Sequence, residues 1–89
     1  MITTKIKLIN KLGLHARASA KFVALASRYQ SQIEILAGNQ KVNGKSIMGV
    51  MMLAGAQGTE MTLNIEGPDE EEMSTAITNL INNRFGEPE

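Results

Sequence analysis

Cysteine and tryptophan are absent from this 89-residue chain, histidine occurs once, and the aromatics are two phenylalanines and one tyrosine. Without cysteine there is no disulfide framework, so the fold must rest on its apolar core. With no thiolate and a single imidazole, a soft or borderline metal would lack most of its usual ligands, and no metal site is expected. Neither sign of charge dominates: nine basic and nine acidic residues cancel. That balance argues against nucleic-acid binding through bulk charge. No apolar run approaches the ~18 residues of a membrane span, and the opening MITTKIKLIN lacks the pattern of a secretory signal. No membrane insertion and a cytoplasmic location are the expectations.

What is present reads as one domain over residues 1–89, with a hydrophobic fraction of 43% and 20% charged residues, as in ordinary globular proteins. Residues 2–9 alternate around Thr4, Ile6 and Leu8, with Lys5 and Lys7 facing the other way, which is strand periodicity. Residues 32–37 repeat it with Ile33 and Ile35. Gly38-Asn39 turns the chain into a second arm, so 32–42 reads as a hairpin. Residues 60–66 alternate with Met61, Leu63 and Ile65 inward. Residues 16–28 read as an Ala-rich helix with Phe22, Val23 and Ala26 on one side. A last helix is predicted from Asp69 and Glu72, a capping-box pattern, and from the stripe Met73, Ala76, Ile77, Leu80 and Ile81. Arg84 falls in its last turn and Gly86 ends it. Strand, helix, strand, strand, short helix, strand, helix gives an α+β fold, a two-layer sandwich with helices on one face of an antiparallel sheet.

The short helix is apolar all round. Ser46 is placed as its N-cap, and Ile47-Met48-Gly49-Val50-Met51-Met52-Leu53 follows. Two turns can bury only one side. Either some of Ile47, Met48 and Met51 face a partner, or the methionines fill an irregular core that has few aromatics.

The lone histidine, His15, lies in Gly13-Leu14-His15-Ala16-Arg17, at or beside the N-cap of the first long helix. There the unpaired N–H groups and the aligned peptide dipoles make an anion site. The same positive end disfavours imidazolium and predicts a neutral, nucleophilic ring. Arg17 offers a planar fork of donors for phosphate oxygens. These residues are compatible with phosphorylation of His15, although a lone histidine followed by arginine is more often a helix-capping surface residue.

Two segments decide between them. Gly13-Leu14-His15-Ala16-Arg17 and Lys45-Ser46-Ile47-Met48-Gly49-Val50 together resemble the HPr family, the histidine phosphocarriers of the bacterial phosphoenolpyruvate-dependent sugar phosphotransferase system. The resemblance runs over essentially the whole chain and includes the spacing between the segments. It implies an open-faced β-sandwich of order βαββαβα, a four-stranded antiparallel sheet covered by three helices. It implies that His15 accepts a phosphoryl group on Nδ1 from enzyme I and passes it to enzyme IIA domains. Arg17 and the N–H groups of Ala16 and Arg17 would steady the phosphate, and partners would dock around Ala20, Ile47, Met48 and Met51. The family needs no cofactor and acts as a carrier rather than an enzyme; a monomer is expected. Ser46 matches the serine that an HPr kinase/phosphorylase modifies in many bacteria, which stands beside its simpler role as a cap.

Two departures bear on this. Ala18 follows Arg17 where many members have proline, and Ala24 and Ser27 occupy helix positions where lysines occur in some relatives. A regulatory, nitrogen-related branch of the same system is the alternative within the family. A protein-interaction module that is never phosphorylated is the alternative outside it.

Overall fold

Alternation decides the sheet. The computed structural model describes residues 1–53 and 55–89. In it β1 (Ile2–Lys7), β2 (Gln32–Ala37), β3 (Gln40–Asn43) and β4 (Glu60–Glu66) form one antiparallel sheet of order β1-β4-β2-β3. The register aligns Ile2, Ile65 and Ile33 across three strands, and Thr4, Leu63 and Ile35 in the next row. Because side chains alternate along a strand, these rows share one face. Ile33, Ile35, Met61, Leu63 and Ile65 are buried there. The opposite face stays open and polar. Thr3 bonds Asn64 across it at 2.8 Å, and Lys41 lies 3.9 Å from Glu34.

The covered face carries α1 (Ala16–Ala26), α2 (Ile47–Met52) and α3 (Glu70–Asn82). Phe22 of α1 and Met73, Ile77 and Ile81 of α3 are fully buried, while Ala76 and Leu80 of the expected stripe are half-buried. The elements and their order agree with the sequence reading, except that β1 ends at Lys7 and leaves Leu8 and Ile9 of the expected strand 2–9 outside it. Helix α1 is shorter than expected: it ends at Ala26 with Ser27 as C-cap, and the chain turns through Arg28 and Tyr29.

The capping box at α3 does not form. Asp69 is the N-cap residue, yet its side chain makes no bond to its own helix. Its carboxylate instead accepts from the main-chain N–H groups of Gln30 and Ser31, both at 2.9 Å, and from the Ser31 hydroxyl at 2.5 Å. The connection between α1 and β2 thus offers three donors, more than the helix end would have used. The C-terminal end also differs. Helix α3 stops at Asn82, and Arg84 and Phe85 both adopt φ of 55° in a tight 3₁₀ turn. Two successive non-glycine residues in the left-handed region carry strain of order 1–2 kcal/mol each. Burial of the Phe85 ring, only 1% exposed, offsets it.

Candidate functional site

The approach to His15 is fixed by main chain. Gly13 adopts φ of +63°, and a Cβ there would run into the carbonyl of Gly55. Leu14 is buried, and its N–H donates to that same carbonyl at 2.8 Å. The next residue, His15, therefore becomes the N-cap of α1 in extended conformation, its carbonyl accepting the helix's first bond from Ser19 N–H at 2.9 Å. Its imidazole makes no capping bond. The ring is left free for other work, beside the positive end of an 11-residue helix.

Its partner comes from the far end of the chain. The 3₁₀ turn at Arg84–Gly86 sends residues 87–89 back across the loop that precedes α1. Lys21 of α1 donates to the Phe85 carbonyl at 2.7 Å, and Lys11 N–H donates to the Glu89 main-chain oxygen at 2.9 Å. Between these ties the Glu87 carboxylate meets Nε2 of His15 through Oε2. Its other oxygen accepts from the Asn10 side-chain amide at 3.0 Å, and the same amide nitrogen donates to the Gly13 carbonyl at 2.9 Å. Asn10 is fully buried, and its Oδ1 has no hydrogen-bond partner among the described residues. Burial pushes the Glu87 carboxyl up. The Asn10 and His15 bonds, and the charges of His15 and Lys21, outweigh burial and hold it below the ordinary carboxylate range. Only 28% of the His15 side chain stays exposed.

Arg17 lies two residues on, exposed, and makes no ion pair among the described residues. Ala16 and Ala20 are exposed on the same helix. Helix α2 packs beside α1. Ser46 caps it as expected, its hydroxyl oxygen accepting the Gly49 N–H at 3.1 Å. Val50 is the buried residue of α2, and Ile47, Met48, Met51 and Met52 are exposed. The core-filling reading of the methionines is thereby set aside, because a two-turn helix turns only its Val50 side inward. Leu12 is 66% exposed in the loop before His15. Three hollows lie on the open sheet face and along α3, and none of these three is lined by His15. Exposed apolar side chains near the ring, Leu12 and those of α2, are the kind of surface that suits contact with another protein.

Glu87, Asn10 and Leu12 did not figure in the sequence reading. Leu12, an apolar residue in an otherwise polar loop, had a local signal. Glu87 had none, being 72 positions from the histidine it touches.

A family model described as the PTS HPr component phosphorylation site matches residues 2–83. Proteins named Phosphocarrier protein HPr from Neisseria meningitidis serogroup A and from Cupriavidus necator are 53% and 52% identical to the chain over 89 residues, covering all of both partners. The crystal structure of HPr-C-His from Thermoanaerobacter tengcongensis superposes with a TM-score of 0.96 at 48% identity, covering 100% of each chain.

Proposed function

The chain belongs to the HPr family of phosphocarriers of the phosphotransferase system, and we propose that it accepts a phosphoryl group from phosphorylated enzyme I on His15 and hands it to enzyme IIA domains for sugar uptake. The observation that carries this reading is an imidazole at the N-cap of α1 that does not cap its helix. The phosphoryl group would be received at Nδ1, since Nε2 faces Glu87. In-line transfer of a phosphoryl group asks for positioning and charge neutralisation more than for covalent help. The unpaired N–H groups at Ala16 and Arg17 and the Arg17 guanidinium provide both. Ala20, Ile47, Met48 and Met51, all exposed, form the docking surface. Ser46 is a second, regulatory site: a phosphate there, made by an HPr kinase/phosphorylase, adds about two negative charges beside that surface.

The test is labelling from phosphoenolpyruvate with enzyme I of the sugar branch and, in parallel, of the nitrogen-related branch. Wild type should acquire acid-labile, base-stable label faster in the sugar branch, and His15→Ala should acquire none. Undiminished label in His15→Ala rejects the acceptor, and faster labelling in the nitrogen-related branch reassigns the pathway.

A further inference from the structure

We propose that Glu87 is a positioning residue for phosphoryl transfer, holding the His15 proton on Nε2 so that Nδ1 presents its lone pair to the incoming phosphorus. The proposal rests on His15 being the acceptor. Neutral imidazole carries one proton on either nitrogen, and the hydrogen bond made at one nitrogen selects the tautomer. A carboxylate can only accept, so Oε2 of Glu87 against Nε2 demands N–H at that position.

The carboxylate is itself held in place. Asn10 is fully buried and aims its amide nitrogen at two acceptors, the Gly13 carbonyl and Oε1 of Glu87. Neither can donate, which fixes the amide's orientation, with the N–H groups toward residue 87. The same arrangement leaves Asn10 Oδ1 buried without a partner. The 3₁₀ turn with its buried Phe85, the Lys21 bond to the Phe85 carbonyl and the Lys11 bond to Glu89 bring the carboxylate to the ring. The family model's match ends at residue 83, short of Glu87.

The chemistry balances without a further reactant. The Nδ1 lone pair forms the new N–P bond as the bond from phosphorus to the donor atom breaks, and that electron pair stays with the donor. His15 keeps its Nε2 proton throughout, so the ring gains positive charge as the bond forms. The Glu87 carboxylate compensates that charge from the ring edge away from the phosphorus.

Glu87→Gln is the informative variant. Asn10 offers only donors, so the glutamine must turn its carbonyl oxygen to Asn10 and its NH₂ to His15. An NH₂ beside Nε2 makes that nitrogen an acceptor and drives the proton to Nδ1, the nitrogen that must react. The experiment combines steady-state phosphorylation of the full chain by enzyme I and phosphoenolpyruvate with ring ¹⁵N spectra of neutral His15, for wild type, Glu87→Gln and Glu87→Ala. Glu87→Gln should keep the fold and KM, lower kcat roughly tenfold, and move the pyrrole-type signal from Nε2 to Nδ1. Glu87→Ala should fall between it and wild type. Unchanged kcat in Glu87→Gln, a faster Glu87→Gln, or a proton that stays on Nε2 overturns the proposal. If wild type takes no label, the carrier reading fails instead, and the ¹⁵N spectra still decide whether Glu87 sets the tautomer.

Discussion

Asp69 and Ser31 tie the start of α3 to the start of β2 by bonds in both directions. The Ser31 N–H and hydroxyl donate to Oδ1 of Asp69, and the Asp69 N–H donates back to Ser31 Oγ at 3.1 Å. Ser31 is fully buried and Asp69 partly so, although 38 residues separate them in sequence.

The joint has a pH signature. The Ser31 hydroxyl first, then the Gln30 N–H, hold the Asp69 carboxyl below its ordinary value of 3.8. A carboxylate depressed in the folded state adds stability that is complete above the unfolded value and is lost as pH falls through the folded one. Asp69→Asn should therefore lower the melting temperature at neutral pH, and the gap from wild type should close below about pH 4. Melting curves of both proteins between pH 2 and pH 7 check this. A constant gap across that range removes the carboxylate as its source.

Arg17, exposed and unpaired with acids among the described residues, should contribute to transfer and not to folding. Arg17→Ala should leave the melting temperature within error and slow phosphorylation of His15 roughly tenfold, through loss of a charge-assisted bond to phosphate. Arg17→Lys should be intermediate, since a point charge replaces a fork. Rapid-quench rates settle it, and wild-type speed in Arg17→Ala removes the residue from the site.

Ser46→Ala should cost about 1 kcal/mol in stability through the lost bond to Gly49 N–H, while remaining a good carrier. Ser46→Asp should weaken docking of enzyme I, as a charge enters beside Ile47, Met48 and Met51, and part of that loss should fade with added salt. Rates of His15 phosphorylation under one set of conditions compare them. Equal rates for all three proteins reduce Ser46 to a helix cap.

Phe85 links core to site. Phe85→Ala should cost about 3–5 kcal/mol, the usual range for a fully buried ring, and should loosen the tail that carries Glu87. Denaturant unfolding measures the first effect. The ¹⁵N signals of His15 report the second, which is wrong if they match those of wild type.

Much of this was legible in the chain because it is local. The alternation at Glu60–Glu66, the Gly38-Asn39 turn and the serine before Ile47 each act within a few residues, and each element formed where its pattern lay. His15 at the N-cap was legible for the same reason. What local rules missed is tertiary. Asp69 has the pattern of a cap, but donors on another element outcompete its own helix. Arg84 and Phe85 enter a conformation that usually favours glycine because the core accepts the Phe85 ring. The Glu87 carboxylate at Nε2 of His15 was equally out of reach of local rules, because it comes from a segment 72 positions away.

The strand order has a consequence for the timing of folding. Of the four strands β1 is made first; among the described residues β4 is its one neighbour in the sheet, with Ile2 opposite Ile65. A ribosome must therefore have released β4 before β1 can find its place. Until then the hairpin of β2 and β3 is all the sheet that can form, and a lone hairpin is marginal in water. Pairings so distant in sequence make for slower folding than in helical bundles of similar size. Nascent chains stalled with Asn43 just outside the exit tunnel should stay protease-sensitive, and chains released past Glu66 should acquire resistance in one step. Early resistance would mean that the first half holds structure of its own.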